Sequence, residues 1–215
     1  MQISKEQYEN CLAERITMEA YEKLAAGRVA IAGLGGLGSH IAIMLARCGV
    51  GKLHLIDFDE VDLSNIHRQA YHLSQIGKKK TEAIAELICE INPYIKLHLD
   101  DIRVEKEQVA TLFADEDIIC EAFDHAEAKT MLLEQFLTNR TVWIEEKKLV
   151  TASGMAGFAS ANTIITRQVL KNVYQCGDGV SDIADDIGLT SARVTICAAH
   201  QANMILRLLL GEKTP

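Results

Sequence analysis

The segment RVAIAGLGGLGSHIAIMLARCG, residues 28–49, changes character twice within 22 residues. Its first five residues, apolar after Arg28, read as a buried strand. GLGGLG at 33–38 follows without a break, and SHIAIMLARC then carries apolar residues at helical spacing as far as Gly49. The next apolar run, KLHLI, ends at Asp57. Strand, glycine turn, helix and strand make a βαβ unit, whose return strand is expected to lie parallel to the first because the helix carries the chain back to the end where the first strand began. Gly33, Gly35 and Gly38 have GxGxxG spacing, with Gly36 between them, and Asp57 stands 24 residues after Gly33. In this setting, glycines let backbone N–H groups approach a phosphate at the helix start, and an acid closing the second strand accepts from ribose hydroxyls.

Outward from this unit, strand and helix keep alternating. Charged and apolar residues at 4–26 predict one or two leading helices. Helices are expected over 78–91, 105–113 and 125–137, and strands over 95–99, 117–123 and 141–144. This is the pattern of a mainly parallel, Rossmann-like α/β sheet with helices on both faces. After residue 145 the chain turns to small residues, TASGMAGFASAN, then the β-like run TIITRQVL and an acidic loop. That part predicts an antiparallel extension of the sheet, closed by a helix over 191–210 with Gly211 as its C-terminal stop. The expected organisation is a single domain over 1–215, made of leading helices (1–27), a nucleotide-binding core (28–145) and a C-terminal extension (146–215).

Composition narrows the function. With 48% hydrophobic and 24% charged residues, the 215-residue chain has the makeup of a folded globular protein. A net charge of -8 argues against nucleic acid as main partner. No apolar run is long enough to span a bilayer, and the charged first residues lack a signal-peptide core, so a cytoplasmic location without a membrane partner is expected. Six cysteines without CxxC spacing argue against both a disulfide scaffold and a zinc knuckle. Cys176, read as part of a loop in YQCGDG, is the cysteine best placed to be exposed and reactive. The acids after it, Asp178, Asp182, Asp185 and Asp186, read as a solvated loop.

The glycines alone do not separate NAD, FAD and ATP. The long connection DFDEVDLSNIHRQ, 57–69, adds a second acid, Asp59, and then Asn65, Arg68 and Gln69, with Lys80 following in GKKK. Hydride transfer has no need of this set. Nucleotidyl transfer has, because charge grows on the departing pyrophosphate. Lys78, Lys79 and Lys80 begin a helix, where the macrodipole disfavours cations, and a bound polyphosphate would remove that conflict; a solvated lysine run is the plainer reading for the first two. Asp124 and Glu127 have the D-x-x-E spacing of a capping box, although an acid at the end of a parallel strand also suits a metal.

GLGGLG, DFDEVDLSNIHRQ, GKKK and EAFDHAEAK together resemble the ThiF/MoeB group of E1-like activating enzymes, closely over about 28–130 and more loosely to 211. GMAGF and RVTICAAHQANM resemble its shorter, ThiF-like branch, which is associated with thiamine sulfur chemistry. The resemblance implies an E1-like fold, a homodimer and MgATP-dependent adenylation of a small ubiquitin-like sulfur carrier ending in Gly-Gly. Asp57 would hold the ribose, Asn65, Arg68 and Lys80 would surround the phosphates, and Asp124 would be the Mg2+-linked aspartate. Arg15 would reach the partner subunit's ATP. The zinc-binding CxxC pairs of many members are missing, so no zinc is expected. The rival readings are activation of a carboxylate on a modified tRNA base, a catalytically idle nucleotide-binding homologue and a dinucleotide oxidoreductase.

Overall fold

The computed structural model describes residues 3–143, 146–182 and 187–215. Two helices lead in, α1 (Lys5–Ile16) and α2 (Met18–Ala26). Ser4 starts α1 through a reciprocal capping box with Gln7, which satisfies two N–H groups that the helix cannot. The βαβ unit follows as β1 (Arg28–Ala32), α3 (Gly38–Arg47) and β2 (Lys52–Ile56). Next come α4 (Lys80–Ile91), β3 (Lys96–Asp100), α5 (Val109–Leu112), β4 (Ile118–Glu121) and α6 (Ala126–Asn139). The chain continues through β5 (Lys148–Ala152), β6 (Ile165–Leu170) and β7 (Val173–Gly177) to α7 (Ser191–Leu209).

The strands form one seven-stranded sheet in the order β3-β2-β1-β4-β5-β7-β6. All neighbours are parallel except β6 and β7. Each face is sealed by its own apolar cluster. Ile41, Leu45, Ile84, Ile88, Val194 and Ile205 bring α3, α4 and α7 onto one face, and Val109, Leu132 and Phe136 bring α5 and α6 onto the other. The central strand β1 serves both, with Val29 and Ile31 facing one cluster and Ala30 and Ala32 the other, as the period of two requires. Removing the Ile31 side chain to its Cβ would cost about 2–5 kcal/mol, because the packed neighbours could not close the void.

The expected α/β architecture is observed, with two local corrections. The strand expected over 141–144 is not formed at 141–143, which are turn residues, and Ile144 lies outside the described residues. The parallel strand is β5, a few residues later, in a segment whose mixed lysines and small residues hide the apolar signal. YQCGDG is also not a loop at Cys176: that residue lies in β7 between β5 and β6, and its thiol is buried. Burial pushes the Cys176 thiol up to about 11, which makes it a poor nucleophile at neutral pH. No helix among the described residues is long and apolar enough to cross a membrane.

Candidate active site

Strand order reverses between β1 and β4, since the chain builds outward from β1 to β3 and then returns to add β4 on the other side. Open α/β sheets bind ligands at such a switch point, beyond the carboxyl ends of the strands. A cleft of about 910 Å³ lies there, walled by the segments that follow β1, β2, β3 and β4. Gly33, Gly35, Gly36, Asp57, Asp59, Asn65, Arg68, Gln69, Lys80 and Asp124 all line it.

The glycines divide by task. Gly33 has φ +95°, and a Cβ there would come within 2.7 Å of the Ala122 carbonyl oxygen; one on Gly38 would come within 1.8 Å of the Gly33 oxygen. Gly33 lets the turn press against the residues that follow β4, and Gly38 lets the start of α3 close onto the turn. At Gly35 the nearest atom to an added Cβ is Gln69 Nε2 at 3.8 Å, so this backbone faces the cleft rather than a packed neighbour. Gly38 itself is buried beneath the turn and is not part of the cleft wall. No side chain caps the start of α3.

Asp57 is the floor. Its carboxylate accepts from the Leu34 N–H at 2.7 Å and from the Asp59 N–H at 2.8 Å, which fixes both the glycine turn and the loop after β2 around one acid. Lys80, 5% exposed, is the first residue of α4. Its Nζ donates to Asp59 Oδ2 at 2.8 Å and lies 3.9 Å from Asp57 Oδ1. Lys78 and Lys79 are ordinary surface cations, the first on Glu86 at 2.7 Å and the second near Glu60 and Asp101. Only the third lysine of the run enters the cleft.

Arg68 is positioned through its backbone. Its carbonyl sits 3.2 Å from His40 Nε2, and the next anchor is Ser39 Oγ, which accepts from the Ala70 N–H at 3.1 Å. Burial pushes the His40 imidazole below its ordinary range, so it is neutral near pH 7 and suited to donating one N–H to Arg68. The Arg68 guanidinium donates to the Ser64 carbonyl at 2.9 Å. Tyr71, buried beneath, donates to the Leu34 carbonyl at 2.8 Å. Burial, then the charges of Asp57 and Asp59, push its hydroxyl far up, so it remains a donor. His40 and Tyr71 were not singled out in the sequence; their signal would have been polar side chains on otherwise apolar faces.

The expected capping box at Asp124 is not formed. His125 is the N-cap of α6, without a side-chain capping bond, and the Asp124 side chain is 83% exposed, with the His125 ring 3.7 Å away. A carboxylate this free at the cleft mouth suits Mg2+, which takes one or two carboxylates and fills its other positions with water and phosphate oxygens. Gln69 lines the same cleft, and its buried Oε1 has no partner among the described residues. Arg15 lies exposed on the last turn of α1 and does not line the cleft. Two further cations of the cleft carry no local sequence signal: Lys129 donates to the buried Glu121 at 2.8 Å and to the Ala152 carbonyl at 3.1 Å, and the Arg103 guanidinium stacks 4.8 Å from the Phe58 ring centre. Of the acidic loop, Asp178 is buried against Arg193 at 2.6 Å rather than solvated, and Asp185 and Asp186 lie outside the described residues. His200 is satisfied by Thr166 Oγ1 at 3.0 Å.

An open α/β sheet with a glycine turn, a terminal acid and a cationic connection around its switch-point cleft defines a nucleotide-site architecture. The chain belongs to the ThiF family, whose model matches residues 8–215. It is 28% identical over 203 residues to the molybdopterin-synthase adenylyltransferase of Escherichia coli K12, covering 92% of this chain and 78% of that one. It is 34% identical over 125 residues to the Haemophilus influenzae protein of the same name, covering 58% of this chain but only 51% of the relative. The fold matches E. coli tRNA N6-threonylcarbamoyladenosine dehydratase, TcdA, solved with ATP, at a TM-score of 0.84 and 22% identity over 98% of both chains.

Proposed function

We propose that this protein uses MgATP to adenylate the C-terminal glycine carboxylate of a small ubiquitin-like sulfur carrier ending in Gly-Gly, on the route to the thiamine thiazole. The observation that carries this reading is the convergence of Asp57, Arg68, Lys80 and Asp124 on one cleft at the sheet's switch point. The names of the curated relatives support the reaction class. We further place the protein in the cytoplasm as a homodimer in which Arg15 serves the partner's cleft, since its own lies elsewhere.

Asp57 would receive the ribose hydroxyls, and the turn at Gly35 would bring backbone N–H groups to the phosphates. Ile102, Val104 and Met131 give the cleft an apolar wall suited to a purine. The carrier carboxylate, already ionised, attacks the α-phosphorus; the bond to the bridging oxygen breaks, and pyrophosphate leaves with the electron pair. No proton moves, so no side-chain base is required. Lys80 and Arg68 then act by neutralising charge that grows on the leaving group. Mg2+, held through Asp124, would add positive charge at the phosphates.

Pyrophosphate exchange into ATP, with and without a Gly-Gly-ended carrier from the same cell, tests this directly. Carrier-dependent exchange is expected, reduced roughly 10²–10³-fold in Arg68→Ala. ATP binding without exchange for any such carrier would overturn the reading in favour of another carboxylate or an idle homologue.

A further inference from the structure

β3 is an edge strand, and its register on β2 sets His98 directly beside His54, with Asp100 paired to Ile56. Side chains alternate across a strand, so His54, His98 and Asp100 share one face. None of the three lines the nucleotide cleft. His54 is only 1% exposed, a polar interruption in the apolar run KLHLI.

The three groups lie close enough together to share one ion. The imidazoles stack with centroids 4.2 Å apart and planes 24° from parallel. His54 Nε2 is 2.8 Å from Asp100 Oδ2, and His98 Nε2 is 3.8 Å from Asp100 Oδ1. One ligand atom from each lies within 4.8 Å of the other two. Behind them, His54 Nδ1 lies 3.2 Å from the buried carboxylate of Glu116, whose second oxygen has no partner. A metal-ligating histidine characteristically hands its other N–H to such a carboxylate, which fixes the ring and raises its basicity. A proton on His54 would satisfy Asp100 and Glu116 but makes no use of His98. Lys52, 3.6 Å from Glu116, offsets part of the acidic charge from the far side.

We propose that His54, His98 and Asp100 bind one Zn2+, with Glu116 as the outer carboxylate and a fourth position open to water beside the exposed His98. Two imidazoles and a carboxylate are a zinc-type donor set. The cluster contains no cysteine, so cysteine spacing, which set the expectation of no zinc, was silent about it; its two histidines are 44 residues apart in the chain. The ion would clamp the edge strand to β2 two residues before Ile102, where this segment begins to wall the cleft, and the Asp100 carbonyl also accepts from the Asp57 N–H at 3.3 Å.

The test is a Co2+ titration of the chelator-treated full chain without nucleotide, followed by visible absorption, with Zn2+ as competitor. One Co2+ per chain, displaced by Zn2+, is expected. Affinity should fall at least tenfold in His98→Ala and in Asp100→Asn, and roughly 10–100-fold in Glu116→Gln. His98 is a surface side chain, so metal-free His98→Ala should melt with the wild type, and that comparison separates lost ligation from lost folding. Equal affinity in His98→Ala and wild type, no stoichiometric binding, or a thiolate charge-transfer band from the exposed Cys11 or Cys89 would each overturn the proposal.

Discussion

Lys80 and Arg193 are both buried cations in the first turn of a helix, where the macrodipole works against them, yet they are tied down differently. Arg193 is held by three bonds through its two terminal nitrogens, while its buried Nε has no partner among the described residues. Its guanidinium donates to the Ala159 and Ser160 carbonyls at 2.6 and 2.8 Å and to Asp178 at 2.6 Å, with the two side chains 4% and 6% exposed. It staples the loops of the C-terminal extension to α7. Lys80 leans on Asp59, which is 49% exposed, so its partner can turn to water while the ammonium remains at the cleft. A cation locked between backbone carbonyls and a buried acid holds structure. One with an exchangeable partner is available to a ligand.

Variants can break this comparison. The largest effect is expected for Arg193→Leu, which strands the Asp178 carboxylate and should lower the unfolding free energy by about 3–5 kcal/mol in a urea melt. A change near zero would mean that the staple carries little. Lys80→Ala should cost roughly 2.7–4 kcal/mol of transition-state stabilisation, or 10²–10³ in exchange rate. Its melt should shift by less than half the Arg193 effect, and the reverse ranking would exchange the two roles. The smallest effect is in acid. Burial alone would raise the Asp178 carboxyl, but hydrogen bonds from Ser181 and Val180 and the charge of Arg193 outweigh it and hold the group below its usual range. Its contribution is therefore complete above the ordinary carboxylate pKa of about 4 and is lost as pH falls through the lower folded value. Urea melts between neutral pH and about pH 3 should show that loss, with a shallower slope in Arg193→Leu.

The first half of the chain was the more legible. The glycine turn, Asp57 and Lys80 reveal themselves locally, because one βαβ unit and its following loop build most of the cleft from neighbours in sequence. What stayed hidden depends on partners far along the chain. Cys176 looks like a loop residue beside Gly177 and Gly179, but β5 and β6 flank it and bury it. Asp178 looks solvated until Arg193 arrives from α7. The DxxE spacing at Asp124 is sound chemistry for a cap that the backbone does not use, since the helix begins one residue later. His54 reads as a lapse in an apolar strand until β3 sets His98 alongside.

The reversal of strand order also bears on how the chain acquires its cleft during synthesis. β1 meets β2 after a short crossover, but its other edge waits for β4, and the partners Val29 and Ile118 are 89 residues apart. At about 5–20 residues per second, the ribosome needs roughly 4–18 s to supply the second partner. Throughout that interval a central strand that is apolar after Arg28 has one unpaired edge, and loop closure over such a distance is slow. The nucleotide cleft, whose walls straddle that seam, is therefore incomplete until β4 has been made, and the first βαβ unit folds before a finished site exists to receive ATP.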